Sequence, residues 1–282
     1  MQVAFLGPAG TFTEEALRAS LPGSHDEHAY ATVYETVMAV QLGHAGAAIV
    51  PIENSLEGSV AATLDTLATQ ATRVRIVAEV VHPIRQCLIA APGMALDAVR
   101  RVISHPQALA QCSAFLRERL GEAELAAATS TAEAVQAAIA AGAPLAAVGS
   151  RLAADLYAGA VLSEGIEDQS PNLTRFVWLA PAGTRWEAGG EAQKTSIVFW
   201  GFNDRSPGAL HRVLGDLAGH GINLTKIESR PRGGALGSYI FFADLEGGEE
   251  HLPVRDALQA LSVRVEDLRV LGSYPAAVPP GT

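Results

Sequence analysis

The sequence is short of cysteine, of basic charge and of long apolar runs, and each shortage excludes a class of protein. Cys87 and Cys112 are the only cysteines in 282 residues. Both sit among apolar neighbours, which reads as reduced core thiols rather than a disulfide framework. A catalytic thiol is the sharper alternative, but nothing nearby in sequence supplies a base for it. Lys and Arg number 20 against 30 Asp and Glu, a formal net charge of -10. With no Lys/Arg run and no aromatic-basic stripe, a nucleic-acid partner is not expected. An anionic ligand would have to be held by local groups against that overall field. No uninterrupted apolar stretch is long enough to span a bilayer. The opening MQVAFLGPAG has no basic segment ahead of its short apolar run, so no export signal is expected and the protein reads as cytoplasmic, with no membrane partner.

What is present is apolar residues at 49% of the chain, enough for a packed core and, at this length, for two domains. Short apolar runs alternate with amphipathic segments up to about Leu179, the pattern of an α/β sheet with crossover helices. Strands are expected at 2–7, 47–52, 75–81, 86–90, 101–104, 124–128, 145–149 and 174–180. Helices are expected at 12–21, 33–43, 59–70, 107–120, 131–141 and 150–158. Residues 181–193, PAGTRWEAGGEAQ, have no period and read as a linker. Beyond them come strand 195–202, helix 207–219, strands 222–230 and 237–245, helix 251–261 and strand 265–273. That order is the β-α-β-β-α-β split unit of ferredoxin-like domains. The tail YPAAVPPGT is expected to fray.

Four segments could carry chemistry. In FLGPAGTFTEEAL, Thr11 and Glu14 fit a capping box, and the functional alternative is an anion site on amides near Gly10. In VPIENSLEGSV, Glu53, Asn54 and Ser55 lie just past an inner strand, where open α/β sheets bind ligands, although Asn and Ser also suit turns. In SHPQALAQC, Pro106 suits a first helical turn, Gln107 and Gln111 share a face with Ser104 near its start, and His105 is a cap or a general acid-base. In SPNLTRFVWL, turn residues pass into a strand at Thr174, Arg175 and Phe176. The HDEH segment, with His25 and His28, lacks a further ligand set and reads as a solvated loop, so no metal is expected.

Taken together and in order, GPAGTFTEEAL, VPIENSLEGSV, SHPQALAQC and NLTRFVWL resemble the motifs of the prephenate dehydratase family, and SPGAL with KIESRP resembles the regulatory ACT domain that follows in it. The similarity covers the chain from Met1 to about Tyr274. It implies an α/β catalytic domain of two lobes, like periplasmic solute-binding proteins, with the active site in the cleft between them, then a ferredoxin-like ACT domain. By that resemblance the catalytic domain covers 1–182, with lobes 1–80 plus 150–182 and 81–149, the linker 183–193 and the ACT domain 194–275.

The family's reaction removes carbon dioxide and water from prephenate to give phenylpyruvate, and aromatisation drives it, so no cofactor is implied. By the same resemblance Thr174 is the catalytic threonine, polarising the departing hydroxyl. Arg175 would hold a substrate carboxylate, and helix starts near Gly10, Ser59 and Pro106 would offer amides. Glu53 is a candidate proton donor if burial raises its pKa, with His105 a weaker one. Thr11, Asn54, Ser55, Ser104, Gln111 and Phe176 would line the substrate site. L-Phenylalanine would bind Gly208, Ala209, Leu210, Asn223, Glu228, Ser229, Arg230 and Pro231. One departure is His211, where the family's Gly-Ala-Leu-Val has valine, and it bears on effector affinity. ACT domains usually pair, so a homodimer or tetramer is expected. The first dehydratase motif begins in the first strand, so a monofunctional enzyme is expected. The rival readings are arogenate dehydratase and a non-catalytic solute-binding protein fused to an amino-acid sensor.

Overall fold

The first strand, β1 (Gln2–Leu6), is apolar at Val3, Ala4 and Phe5 because helices cover both faces of its sheet. The structure, a computed structural model, describes residues 1–21, 23–141, 144–186, 191, 193–202, 206–233 and 237–277. After β1 come α1 (Phe12–Ser20), β2 (Asp26–Tyr30), α2 (Val33–Gln41), β3 (Ala47–Asn54), β4 (Gly58–Ser59), α3 (Ala61–Thr69) and β5 (Val74–Pro83). A second group follows: β6 (Cys87–Ala90), β7 (Arg101–Ser104), α4 (Pro106–Gln111), α5 (Ser113–Leu120), β8 (Glu124–Ala127), α6 (Thr131–Ala141), β9 (Leu145–Gly149), α7 (Arg151–Leu156) and β10 (Ala160–Glu164). The chain then returns to the first sheet as β11 (Leu173–Pro181). The C-terminal unit is β12 (Lys194–Trp200), α8 (Ala209–Gly219), β13 (Leu224–Pro231), β14 (Tyr239–Glu246), α9 (Leu252–Ser262) and β15 (Asp267–Tyr274).

The second group forms its own five-stranded sheet, ordered β10-β6-β9-β7-β8. The other sheet runs β13-β14-β12-β15-β5-β11-β3-β1-β2, so the β-α-β-β-α-β unit and the first lobe share one continuous sheet. The join is parallel, with Gly272 of β15 opposite Ile76 of β5. A Cβ at Gly272 would stand 2.1 Å from the Ile76 carbonyl oxygen, so only glycine permits this approach. Apolar packing crosses the join too: Val198, Ile240, Phe242 and Leu271 belong to the same buried cluster as Val37 and Leu64. Arg269 of β15 caps the carboxyl end of α3, donating from Nη1 to the Ala68 carbonyl at 3.1 Å and from Nη2 to that of Leu67.

Several expectations need correction. Residues 150–166 do not belong with the first lobe, because β10 pairs with β6 and Ala153 and Ala154 of α7 pack against Cys87 and Ile89. Asp26–Tyr30 is not a loop but a polar edge strand, parallel to β1, with too few buried positions to show an apolar alternation. The helix expected over 107–120 is two, broken at Cys112 with φ -113 and ψ 15. Of the linker expected over 183–193, residues 187–190 and 192 lie outside the described residues, as do 278–282 of the tail.

Candidate active site

Strand alternation decides which motif residues meet. On β11, Thr174 and Phe176 face a cavity of about 630 Å³, while Arg175 between them turns to the other side of the sheet. The cavity lies between the two sheets. Leu6 to Pro8, Thr11 to Thr13, Ala29 to Ala31, Pro51, Thr174 and Phe176 wall one side. Ile84, Gln86, His105, Gln107, Ala108, Gln111 and the Thr129–Glu133 segment wall the other. The cleft implied by the resemblance is therefore present, and Thr174, Phe176, Thr11 and Gln111 line it.

Asn54 controls the threonine. Its Oδ1 accepts from the Leu56 amide at 2.9 Å and the Glu57 amide at 3.0 Å, which fixes the carboxamide orientation. Its Nδ2 then donates to Thr174 Oγ1 at 2.9 Å and to Asn172 Oδ1 at 2.8 Å. Because Thr174 Oγ1 accepts here, the hydroxyl's own hydrogen remains for a group in the cavity. The amide chain continues from Asn172 Nδ2 to Gln111 Oε1 and from Gln111 Nε2 to Glu57 Oε1, both at 3.2 Å. It links the lobes. Asn172, read from sequence only as a turn residue, is buried and central to this chain. Gln86 was missed as well: it is buried beside the cavity and its Oε1 has no partner among the described residues. A buried amide in an apolar strand context is the signal that could have marked it.

Arg175 and Glu53 are not in the cavity. Arg175 is 9% exposed and ringed by carboxylates, with Glu53 at 2.9 Å, Glu79 at 3.0 Å and Asp244 at 2.8 Å. Burial opposes its charge, but Asp244, Tyr274, Glu79 and Glu53 outweigh that and hold its pKa above the usual arginine value. For Glu53 burial favours the neutral acid, yet the charges of Arg175 and Lys226 win and hold the carboxyl below the usual glutamate range. A proton donor needs the opposite shift, so that expectation for Glu53 is overturned along with the carboxylate-binding one for Arg175.

Other site residues are also redirected. Ser104 is fully buried and donates to the Val148 carbonyl at 2.6 Å, tying β7 to β9. Ser55 accepts from the Leu173 amide at 3.0 Å, bracing the approach to Thr174 rather than lining the cavity. Thr11 donates to the Leu6 carbonyl at 3.0 Å and forms no capping box. The Gly10 amide is taken by Glu14 Oε2 at 2.6 Å, so it is not an anion donor, and Ser59 is engaged by Lys226. His105 caps α4 through Nδ1, accepting from the Gln107 amide at 3.3 Å, which leaves Nε2 available. Ser130 accepts from the Glu133 amide at 3.1 Å, which leaves its hydroxyl hydrogen available too.

The expected effector residues are divided by their own sheet. Gly208, with φ 74, is the N-cap residue just before α8, and Ala209 and Leu210 pack on the helical side of the C-terminal sheet. Ser229 and Pro231 pair with Phe241 and Tyr239, and Phe241 packs in that same helical core. Glu228 and Arg230 point the other way, toward the first lobe, where Arg230 grips Asp65 of α3 in a two-pronged pair at 2.6 and 2.7 Å. The Asn223 carbonyl accepts from the Glu246 amide at 3.0 Å.

Residues 3–184 match the model of the family described as prephenate dehydratase, and residues 195–263 match the ACT domain. A prephenate dehydratase of Mycolicibacterium vanbaalenii is 40% identical over 298 residues, covering 99% of this chain and 94% of the relative. The solved structure of a prephenate dehydratase from Arthrobacter aurescens, in complex with L-Phe, superposes with a TM-score of 0.88 at 38% identity, covering 99% of this chain and 94% of that one. A structure titled GqqA, a novel type of quorum quenching acylase, superposes with a TM-score of 0.85 at 32% identity, covering 98% of each.

Proposed function

The chain belongs to the prephenate dehydratase family, and from that membership we propose that its interlobe cavity binds prephenate and that Thr174 assists loss of the ring hydroxyl. As the substrate carboxylate leaves as carbon dioxide, its bonding electrons enter the ring, the ring becomes aromatic and the hydroxyl departs with its electron pair. Thr174 donates a hydrogen bond to that oxygen, and the bond strengthens as negative charge gathers there. The observation that carries this reading is the Asn54 Nδ2 bond at 2.9 Å, which commits Thr174 Oγ1 as acceptor and leaves its hydrogen for the substrate. The remaining carboxylate meets the neutral donors of the opposite wall, Ser130, Gln86 and His105, in place of an arginine.

Acyl transfer would instead require a hydroxyl activated by an adjacent base. Thr174 has a donating amide as its partner, which favours the hydrogen-bonding role. L-Phenylalanine is the regulator in this reading, sensed by the C-terminal unit over 194–275, with 1–182 catalytic and 183–193 between them. The exposed edge strand β13 is suited to pairing with a second copy, which makes the enzyme at least a homodimer, acting in the cytoplasm. Purified full-length protein incubated with prephenate, and separately with arogenate, tests the reading. Phenylpyruvate and carbon dioxide from prephenate are expected, with inhibition by L-phenylalanine that excess prephenate does not abolish. Turnover of neither compound would refute it, and strictly competitive inhibition would move the effector into the cleft.

A further inference from the structure

Two adjacent pairs of residues lie back to back where β11 crosses β3. Thr174 is opposite Asn54 and Arg175 is opposite Glu53. The first pair is hydrogen-bonded on the cavity side, and the second is ion-paired on the reverse side. The reverse side belongs to the C-terminal unit. Asp244 of β14 holds Arg175 at 2.8 Å, and Lys226 of β13 holds Glu53 at 3.1 Å and also contacts Ser59. Lys226 and Asp244 are themselves opposite one another in the β13–β14 register, so a single row of that sheet grips both catalytic strands. Asp244 is fixed in turn by Ser196, which donates to its Oδ1 at 2.6 Å.

We propose that Asp244 and Lys226 are positioning residues for the reaction. By holding Arg175 and Glu53 they set where Thr174 stands in the cavity and where Asn54 stands against it, and through these two contacts the C-terminal unit acts on catalysis. The inference rests on the reading of Thr174 and Asn54 given above. Arg175 and Glu53 cannot shift without carrying the next backbone unit with them, and a misplacement of about 1 Å near reacting atoms costs up to about 10²-fold in rate. Arg175, Glu79 and Asp244 are buried and charged, so they stay paired or separate together, which makes a two-state element rather than a soft spring, while the Glu53 side chain, 37% exposed, is the looser contact. Any ligand that displaces β13 or β14 relative to the first lobe would be felt at Thr174.

The test uses the full-length enzyme, with Asp244→Asn, Lys226→Gln and, as a control, Asp65→Asn. The control severs the Arg230 contact to the C-terminal unit without touching a neighbour of Thr174 or Asn54. Asn at 244 keeps the shape and the Ser196 contact while removing the charge. The expected result for Asp244→Asn and Lys226→Gln is a fall of about threefold to tenfold in kcat with KM within about twofold, as for loss of alignment and not of substrate binding. Inhibition by L-phenylalanine should weaken in the same variants while its Kd, measured by calorimetry, stays near the wild-type value. Asp65→Asn should match wild type in kcat. A change in kcat or in inhibition at unchanged KM and Kd supports the proposal. Wild-type kcat and wild-type inhibition in both variants overturn it, as does an equal change in Asp65→Asn. If Asp244→Asn does not fold, Lys226→Gln decides alone. An inactive wild-type enzyme would instead refute the dehydratase reading, so the two failures are distinct.

Discussion

Thr174 and Asn54 face each other across β11 and β3, and the asparagine amide, itself locked by two backbone N–H groups, donates to the threonine oxygen at 2.9 Å. A hydroxyl held in this way is pre-aligned as a donor and needs no reorganisation when charge develops on its target.

Thr174→Ala should therefore lower kcat by roughly two to three powers of ten, the magnitude of losing one transition-state donor, with KM little changed. Thr174→Ser should keep more activity, because Asn54 can still orient a serine hydroxyl. Asn54→Ala should reduce kcat as well while leaving the hydroxyl in place. Steady-state kinetics with prephenate check all three, and wild-type turnover by Thr174→Ala would remove the threonine from the mechanism.

Arg175→Met should chiefly destabilise the protein. It would leave Glu53, Glu79 and Asp244 converging on an apolar side chain, with Lys194 still paired to Glu79 at 2.6 Å. Breaking a buried ion network by removing one partner costs about 3–5 kcal/mol. Urea unfolding should show a lower midpoint with an unchanged slope. A large rise in KM at wild-type stability would instead return Arg175 to substrate binding.

Acid should unfold the protein partly through Glu53. A carboxyl whose folded-state pKa lies below its unfolded value gives stability that is complete above the unfolded value and is lost as pH falls through the folded one. For Glu53, held down by Arg175 and Lys226 against the effect of burial, the loss begins as pH drops below about 4.5 and continues under it. Glu53→Gln should be less stable than wild type at neutral pH and should lose less stability on acidification. Unfolding midpoints measured from pH 7 to pH 3 would show a shallower acid limb for the variant, and parallel curves would contradict the assignment.

Neither thiol should react in the native state. Cys87 is 2% exposed and Cys112 fully buried, and desolvation pushes the Cys87 thiol up to about 11 and that of Cys112 higher still. At pH 8 the Cys87 thiolate is then on the order of one part in a thousand. A chromogenic disulfide reagent should titrate two thiols in guanidinium chloride and close to none without it. Rapid native labelling with loss of turnover would revive the catalytic-thiol reading.

The sequence by itself determined the class of fold, the restart of the pattern near Lys194 and the motif that carries Thr174. Apolar periodicity reports which segments are buried and at what spacing, and that information is local. Apolar periodicity did not locate Asn54 and Gln111, which came from the family resemblance; of the two, Gln111 lines the cavity and Asn54 binds Thr174. Polar edges such as β2 escaped it, since a strand with one partner and little burial has no apolar alternation to read.

Only the tertiary structure decided which way Glu53 and Arg175 point. Along β3, Pro51 faces the cavity, and strict alternation would have put Glu53 beside it. The register against β11 jumps from Glu53 to Pro51, so Ile52 is an extra residue that turns Glu53 to the reverse face. A one-residue bulge exchanges the two faces of a strand, and nothing within the strand's own composition announces it. The partners that make the reverse face a place for charge, Lys226 and Asp244, are 173 residues from Glu53 and 69 from Arg175 along the chain, and folding alone brings them there.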